Sequence, residues 1–243
     1  MRLHRFYVSQ PLGEEVVIED VPTIKQWLKV FRYTEGDFVI LFNGDGYSST
    51  YRLEKASPLS CTLLRTEQSL LSLPNHRSFL FLAVIKKDFF ELVVKKATEA
   101  GITDIVPLIT EHTEKKNLNL ARLNTIIKEA TEQCGRNDIL IVHPPLTWNE
   151  SFPFLTSRAI ASENTYVATL FGKPLQDIVL ERISLKVTDS PLPTAFFVGP
   201  EGGWSEEEEV VIKEKNFTAI SLGKNVLRAE TAGIYCALLS SLL

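Results

Sequence analysis

The sequence predicts an α/β protein in which a mostly parallel sheet, covered by helices on both faces, follows a small, mainly β domain. From Ser78 onward, short apolar runs typical of strands alternate with segments of helical periodicity, which indicates a parallel sheet. Before residue 70 the runs are strand-like, and the turn signal Asn43–Gly46 separates two of them. The polar stretch 68–78 is typical of a linker. We therefore expect two domains, at residues 1–70 and 71–243.

The first domain is predicted to contain three strands and one helix. The strands are expected at residues 37–42, 47–53 and 60–65. Between Pro22 and Gly36, apolar residues recur with helical spacing on one face, namely Ile24, Trp27, Leu28 and Phe31. Three cations share another face of that helix, namely Lys25, Lys29 and Arg32. They would suit the phosphates of a nucleic acid, and a solvated basic face is the alternative.

The second domain is predicted to contain six strands and four helices. The strands are expected at residues 78–85, 104–109, 139–142, 165–170, 194–198 and 219–222. The helices are expected at residues 88–100, 120–134 and 229–243, and after Ser205. Asp88 is expected to cap the first of these helices, and Ser205 and Glu208 have the spacing of a capping box.

Composition and charge exclude several classes of protein. The 243 residues include 26 basic and 30 acidic side chains, and the net charge of −4 argues against a protein that coats nucleic acid nonspecifically. The longest apolar run, residues 79–85, is too short to span a bilayer, and the first residues lack the apolar core of a secretory signal. Three cysteines lie far apart, so neither a disulfide framework nor a metal site is indicated, and we expect a reduced, cytoplasmic protein.

Glycines cluster where three late strands are predicted to end. They lie in the segments Leu170–Gly172, Val198–Gly203 and Leu222–Gly223. Ligands bind beyond the carboxyl ends of strands in an open α/β sheet, and glycine allows a close backbone approach. An ordinary turn would explain Gly172 alone, whereas the three glycines of the second segment exceed the needs of a turn. The glutamates that follow, Glu206–Glu209, are typical of a solvated helix start and would repel a phosphate, so an uncharged or cationic ligand is favoured.

Two further polar segments are candidates for chemistry. Arg228 and Glu230 precede an apolar helix, where a guanidinium could hold a developing anion. A surface cation and a first-turn carboxylate are the alternative. The segment Glu132–Asn137, which contains Arg136, closes a helix and is more polar than a turn requires. Catalysis by Cys134 is disfavoured because no histidine lies near it in the sequence.

Five segments, in order along the chain, carry a family resemblance. They are HRFYV at 4–8, KKATEAGI at 95–102 with IVP at 105–107, EA at 129–130 with EQCGR at 132–136, GPEGG at 199–203, and LG at 222–223 with VLRAETA at 226–232. In these segments the chain resembles the RsmE family of 16S ribosomal RNA (uridine-N(3))-methyltransferases, within the SPOUT class. The chain departs from the family pattern at Asn225, where many members have arginine, at Ala229, where threonine is common, and at Ala100. The Asn225 difference removes a cation and puts a phosphate role for that position in doubt.

The resemblance implies a fold, a cofactor and a partner. The parallel sheet would contain a deep trefoil knot, and the first domain would be a PUA-like β-barrel that binds RNA. S-adenosylmethionine would bind in the knot and leave as S-adenosylhomocysteine, without a metal. The enzyme would be a homodimer that acts on 16S rRNA in the assembled small subunit, with no membrane involved.

The implied site comprises three sets of residues. Those expected to bind the cofactor are Leu170, Gly172, Gly199, Glu201, Gly202, Gly203, Leu222, Gly223, Val226 and Leu227. Those expected to bind RNA are Arg2, Arg5, Lys25, Lys29 and Arg32. The remaining candidates, Arg228, Arg136 and Glu230, are expected to be catalytic.

The implied reaction is methylation of uridine at N(3). The sulfonium methyl is already activated, so the difficulty lies in N(3), which must lose its proton while negative charge develops on the flanking carbonyl oxygens. Arg228 or Arg136 could stabilise that charge. Glu230, Glu132 or solvent could accept the proton. The target base must be unpaired or flipped out because N(3) lies on its Watson–Crick edge.

Two other functions stay open at this point. One is a sibling knotted methyltransferase that acts on a ribose 2′-hydroxyl or on transfer RNA. The other is a catalytically silent RNA-binding or ribosome-assembly protein, against which the near-intact GPEGG and LRAET segments count. The sequence determines neither the target nucleotide nor the proton acceptor.

Overall fold

The computed structural model describes residues 3–70, 74, 76–114, 117–184 and 192–240, with the backbone alone for 182–184. The chain forms two compact units. The first unit comprises Met1–Leu73 and Thr131–Ile139, and the second comprises Pro74–Ala130 and Leu140–Leu243. The segment Thr131–Ile139, which carries Arg136, therefore lies with the first unit, although the sequence pattern grouped it with the second domain.

The first unit is built on a curled, five-stranded sheet. Its strands are β1 (Arg5–Tyr7), β2 (Glu15–Ile18), β3 (Phe38–Phe42), β4 (Tyr47–Ala56) and β5 (Cys61–Leu70). The order is β1-β3-β4-β5-β2, with β1 and β3 parallel and the other neighbours antiparallel. Register shifts between β4 and β5 increase the local bend and twist. The predicted small barrel-like domain is thus confirmed, although β1 and β2 are too short to have been recognised, and β5 extends into the predicted linker.

The predicted helix of the first unit changes type along its length. It begins as α1 (Val21–Lys25), where the Asp20 side chain accepts a hydrogen bond from the backbone of Thr23. It continues as a π-helical segment over Gln26–Phe31, so the assumption of α-helical spacing throughout was wrong. The wider π turn still buries Trp27 completely against the sheet.

The second unit contains the predicted parallel sheet. Its strands are β6 (Ser78–Ala83), β7 (Asp104–Ile109), β8 (Ile141–Val142), β9 (Leu146–Thr147), β10 (Thr165–Pro174), β11 (Thr194–Val198) and β12 (Thr218–Ser221). The order is β12-β10-β11-β6-β7-β8, β9 also pairs with β7, and all of these pairings are parallel. The mostly parallel sheet predicted from the sequence is therefore confirmed.

In the described part of the chain, six α-helices follow β6. They are α2 (Lys87–Ala100), α3 (Leu120–Cys134), α4 (Trp148–Ser157), α5 (Leu175–Ser184), α6 (Glu206–Glu214) and α7 (Ala229–Leu239). The expectation that Asp88 caps α2 was wrong, because Lys86 occupies the N-cap position and makes no side-chain cap. Helix α4 was missed since Pro153 lies inside it, yet its capping box, Thr147 and Glu150, was readable in the sequence.

The parallel sheet is buried on both faces, as its apolar strands require. On β6, Phe79 and Phe81 belong to a core that also includes side chains of α4 and α6. The other face is covered by α2 and α7, which pack closely at Gly233. A Cβ atom at Gly233 would lie 3.1 Å from Val93 and 3.3 Å from Leu82. In the part of the chain that the structure describes, no helix is long and apolar enough to cross a membrane.

Candidate functional site

The three predicted glycine segments belong to neighbouring strands of the sheet. Gly199–Gly203 and Leu222–Gly223 follow β11 and β12, but Leu170–Gly172 lies inside β10, which continues to Pro174 instead of ending at Leu170 as predicted. Strands β12, β10 and β11 are adjacent and parallel, so the turns after them lie at one edge. We name the segment Gly199–Gly203 the GPEGG turn. The structure thereby brings together the residues expected to bind the cofactor, at the edge where ligands of α/β sheets bind.

Gly172 lies where the backbone of β10 passes β12. Ala168 pairs with Ile220, and further along the same strand Lys173 pairs with Ile220 again. A Cβ atom at Gly172 would lie 2.5 Å from the carbonyl carbon of Ala219 and closer still to the nitrogen of Ile220. No side chain fits between these two backbones. An ordinary turn therefore does not account for Gly172, which is required by the close approach of two chain segments.

The GPEGG turn is hydrogen-bonded to β10 through Trp204. The indole Nε1 of Trp204 donates a hydrogen bond to the carbonyl oxygen of Ala168 at 2.9 Å. Its ring covers Gly199, where a Cβ atom would lie 3.1 Å from the indole. The turn is closed by a 3.0 Å hydrogen bond from the nitrogen of Gly203 to the carbonyl of Pro200. Glu201, between them, is exposed.

The glutamate run after this turn has two functions. The predicted capping box is confirmed: the Ser205 hydroxyl accepts from the backbone of Glu208, and Glu208 Oε2 accepts from the nitrogen of Ser205 at 3.0 Å. Glu208 is buried, and its Oε1 accepts a second hydrogen bond, from the nitrogen of Glu111 at 3.0 Å. Glu206, Glu207 and Glu209 are exposed, as expected of a solvated helix start.

Glu111 belongs to a fourth turn at this edge, which sequence reasoning missed. The turn, Thr110–Thr113, follows β7 and is closed by hydrogen bonds between Thr110 and Thr113, both of which are buried. Its His112 is exposed and places Nδ1 3.1 Å from the carbonyl oxygen of Gly203. The predicted end of a strand at Ile109, followed by Glu111 and His112, was the signal that could have revealed it.

Apolar side chains are exposed around the same turns. Leu170 is 60% exposed, Phe171 is 93% exposed and Val226 is 77% exposed, whereas Leu222 and Leu227 are half-buried. Large apolar side chains left in water at one edge of a sheet are typical of a surface that a ligand or a partner covers.

Arg228 and Glu230 lie at the start of α7. Arg228 is the N-cap residue, so its backbone is held by the helix, but its side chain is 80% exposed. Its Nη1 lies 4.0 Å from Oε1 of Glu230, whose side chain is 10% exposed. The cation is therefore presented to solvent on a fixed backbone, while the carboxylate is largely withdrawn.

Arg136, Glu132 and Arg5 have internal partners in the first unit. Arg136 forms a two-point ion pair with Asp138, with 3.0 Å between Nε and Oδ1, and its side chain is 10% exposed. Glu132 accepts from the nitrogen of Tyr7 at 3.0 Å. Arg5 donates to the carbonyl of Arg136 at 3.2 Å and to the Asn137 side chain. Together these contacts bind the segment Thr131–Ile139 to β1.

The three cations predicted to share a helical face of the first unit are available to solvent, but Arg32 lies past the helix, as a C-cap residue with a left-handed backbone. Lys25, Lys29 and Arg32 are all exposed. Next to them in the chain, Phe31 stacks on Tyr33 with 5.5 Å between ring centroids and packs on the exposed His4 at 4.3 Å. Cations beside aromatic rings are typical of surfaces that bind RNA. Arg2, the remaining predicted RNA-binding residue, lies outside the described residues.

A buried acid cluster lies at the opposite edge of the parallel sheet. Asp104 begins β7 and is fully buried, and its carboxylate accepts from Nε2 of His143 at 2.7 Å, from the Thr103 hydroxyl at 2.7 Å and from Arg77. Burial alone would raise the pKa of Asp104, but the hydrogen bonds from these three partners outweigh it and hold the pKa below its ordinary value. These contacts stabilise the sheet and do not form part of a ligand site.

No group of three or more histidine, cysteine, aspartate or glutamate side chains is arranged to hold a metal within the described ranges.

At the carboxyl edge of this parallel α/β sheet, Trp204 joins the GPEGG turn to β10 and His112 joins it to the turn Thr110–Thr113, which makes this edge the candidate ligand site of an α/β domain. The chain belongs to the family described as RNA methyltransferase domain, which matches residues 72–241. The resemblance seen in the sequence motifs is thereby confirmed.

Named relatives extend the similarity to almost the whole chain. The chain is 32% identical over 242 residues to ribosomal RNA small subunit methyltransferase E of Rickettsia conorii, covering 96% of this chain and 93% of that protein. It is 26% identical over 235 residues to the Bacillus subtilis protein of the same name, covering 90% and 89%. The structure resembles the crystal structure of ribosomal RNA small subunit methyltransferase E from Neisseria gonorrhoeae bound to S-adenosyl methionine, with a TM-score of 0.83, 27% identity and coverage of 99% and 98%.

Proposed function

We propose that this protein transfers a methyl group from S-adenosylmethionine to N(3) of a uridine in 16S rRNA. The observation that carries the proposal is the placement of the GPEGG turn and the Leu222–Gly223 turn at the carboxyl edge of the parallel sheet, on either side of β10, in a chain similar over its length to ribosomal RNA small subunit methyltransferase E. The Neisseria protein with this name and this fold was crystallised with that cofactor.

The residues around these turns fit S-adenosylmethionine. The adenine needs apolar walls, which the half-buried Leu222 and Leu227 and the exposed Leu170 and Val226 offer. Polar atoms of the ligand need backbone partners, and Gly202, Gly203 and Gly223 present backbone without side chains. We propose that the chain is knotted at this site, as the family resemblance implies.

The two units divide the work in this proposal. Residues 71–243, apart from the segment Thr131–Ile139, form the methyltransferase domain, and residues 1–70 form a PUA-like domain that binds RNA through Lys25, Lys29 and Arg32. The exposure of these cations beside Phe31 and Tyr33 supports the assignment. Arg5 is a weaker candidate for RNA, because its guanidinium already binds Arg136 and Asn137.

The bound cofactor supplies an activated methyl group. Arg228 would stabilise the negative charge that develops on the uracil carbonyls, since its exposed guanidinium is fixed at the N-terminus of α7. Glu230 would orient Arg228, which it approaches to 4.0 Å. Arg136 is less suited to this function, because Asp138 already neutralises it.

The protein would act as a cytoplasmic homodimer on the assembled small subunit. An exposed apolar row on α7, with Tyr235 at 40% and Leu238 at 57% exposure, supports contact with a second copy. The cytoplasm follows from the substrate, because bacterial ribosomal RNA is assembled there.

The proposal is tested by the nucleosides of 16S rRNA. Mass spectrometry should detect 3-methyluridine in rRNA from cells with the gene and not in rRNA from cells without it. Purified protein should restore the nucleoside on small subunits from the deficient cells, and a parallel reaction on naked 16S rRNA tests the preference for assembled subunits. A 2′-O-methylated nucleoside, or a binding protein that leaves rRNA unmodified, would replace the proposal.

A further inference from the structure

His112 lies on the turn after β7, against the GPEGG turn. Its backbone is held from two sides, because Thr110 and Thr113 close the turn and Glu208 binds the nitrogen of Glu111. A Cβ atom at Gly202 would lie 3.0 Å from the Cβ of His112, so a larger residue at position 202 would collide with the histidine. An exposed imidazole is thereby fixed beside the proposed cofactor site.

The hydrogen bond to Gly203 determines which ring nitrogen of His112 carries the proton. Nδ1 lies 3.1 Å from the carbonyl oxygen of Gly203, and a carbonyl oxygen can only accept. In the neutral ring the proton therefore lies on Nδ1, and Nε2 keeps its lone pair. Nε2 forms no hydrogen bond to any part of the chain that the structure describes, and the side chain is exposed.

The other candidates for a base at this edge are less suitable. Glu208 uses both carboxylate oxygens for backbone nitrogens, and the Glu230 side chain is 10% exposed and close to Arg228. Glu111 and Glu201 are exposed carboxylates. An imidazole is a stronger base than a carboxylate and is better suited to accept a proton at neutral pH. This favours His112 over Glu111 and Glu201.

We propose that His112 is the general base that removes the proton from uridine N(3), a step that rests on the proposed function. The N(3)–H bond breaks and its proton passes to Nε2 of His112, which becomes an imidazolium that still donates from Nδ1 to Gly203. The electron pair left on N(3) forms the bond to the methyl carbon, and the pair of the broken C–S bond stays on sulfur. The imidazolium then returns its proton to solvent. The segments packed around His112 carry three carboxylates, namely Glu111 on its own turn, Glu201 on the GPEGG turn and Glu208 on α6.

The tests separate a base from a structural histidine. In His112→Asn, the side-chain amide can still donate to Gly203 but offers no base. We expect its single-turnover rate to fall about a hundredfold or more, with cofactor affinity by calorimetry unchanged. The rate of His112→Ala should be partly restored by added imidazole. His76→Asn, which changes a half-buried histidine outside this edge, is the matched control and should keep the wild-type rate.

A readout independent of activity is the nitrogen NMR spectrum of the free protein. The His112 ring should show a protonated Nδ1 and an unprotonated Nε2 when neutral. The opposite tautomer, a wild-type rate in His112→Asn, or no rescue by imidazole would each overturn the assignment. These outcomes are distinct from failure of the proposed function, in which the wild-type protein itself would form no 3-methyluridine.

Discussion

The buried carboxylate of Glu208 joins the start of α6 to the turn after β7, through a 3.0 Å hydrogen bond from the backbone nitrogen of Glu111. The same side chain closes the capping box with Ser205. One residue therefore stabilises a helix and also positions the turn that carries His112. A capping box is local in the sequence, but this second contact joins a helix and a turn whose residues are 97 positions apart in the chain.

Replacing Glu208 should destabilise the second unit. Glu208→Ala leaves the nitrogens of Ser205 and Glu111 without their acceptor, which we expect to lower the free energy of unfolding by about 2 kcal/mol. Glu209→Ala, one residue along and exposed, should change it by about 0.5 kcal/mol or less. Urea denaturation of both variants measures the difference, and equal values would show that the buried contact adds nothing.

Gly202→Val should abolish binding of S-adenosylmethionine. The added Cβ would lie 3.0 Å from His112, so the branched side chain must displace either that histidine or the GPEGG turn. Leu227→Asp should also prevent binding, because it replaces an apolar wall by a charge. Calorimetry without RNA measures both effects. Gly13→Ala is the control, since its Cβ would meet Glu15 at an ordinary 3.4 Å, and wild-type affinity in the two site variants would reject this cofactor site.

Arg228→Ala should slow methyl transfer much more than it weakens cofactor binding. Loss of a fixed donor to developing charge typically costs about 3 kcal/mol, on the order of a hundredfold in rate. Arg228→Lys should restore only part of the rate, because lysine lacks the planar guanidinium group with its several N–H donors. Melting temperatures should not change, since the side chain is 80% exposed. Lys224→Ala removes an exposed cation from the preceding turn as a comparison, and a normal single-turnover rate in Arg228→Ala would remove Arg228 from the mechanism.

Neutralising Lys25 and Lys29 together should weaken RNA binding without affecting the cofactor. Each lost phosphate contact reduces the slope of log affinity against log salt concentration by about one unit, so we expect a reduction of about two. Lys55→Ala, an exposed cation on β4, is the matched control in the same unit. Titrations of small subunits at several salt concentrations provide the slopes. If double variant and control have the same slope as wild type, the helical face does not bind RNA.

Stability should fall at acid pH through Asp104. Its pKa in the folded protein lies below the ordinary value of about 3.9, so its contribution is complete above pH of about 5 and is lost as the pH falls through the folded pKa. Asp104→Asn should lower the unfolding free energy at neutral pH by about 3 kcal/mol and flatten this acid limb. Unfolding curves at several pH values test it against Asp177→Asn, which changes an exposed carboxylate. If the unfolding free energy of Asp104→Asn falls at acid pH as steeply as that of the wild type, other groups cause the fall.

Elements with strong local signals were predictable, and elements without them were not. Strands β7 and β11 have the bounds expected from their apolar runs. Helix α3 ends at Cys134 and helix α6 begins at Glu206, as expected. Helix α4 was hidden by Pro153, and α5 by weak periodicity. The π-helical segment was not predictable, because its apolar spacing also satisfies an α-helix.

The candidate site residues also differed in how much the sequence could predict about them. The position of the glycine turns followed from strand ends, because parallel neighbours bring their carboxyl ends to one edge. Arg136 and Arg5 were read as cations for a substrate or RNA, but their partners Asp138 and Asn137 depend on how the segment Thr131–Ile139 packs on β1. The sequence shows that a side chain is charged, but not whether it already forms an ion pair or a hydrogen bond within the chain.

The sequence by itself determined the class of fold, the edge of the sheet that carries the site and the family resemblance, since periodicity, strand ends and motifs are local properties of the chain. Only the tertiary structure decided which side chains meet at that edge. It placed His112 against Gly203, buried Glu208 beneath Glu111, and required a glycine where β10 passes Ile220. The physical reason is that these contacts join residues far apart in the chain, and packing fixes their distances only after the sheet has formed.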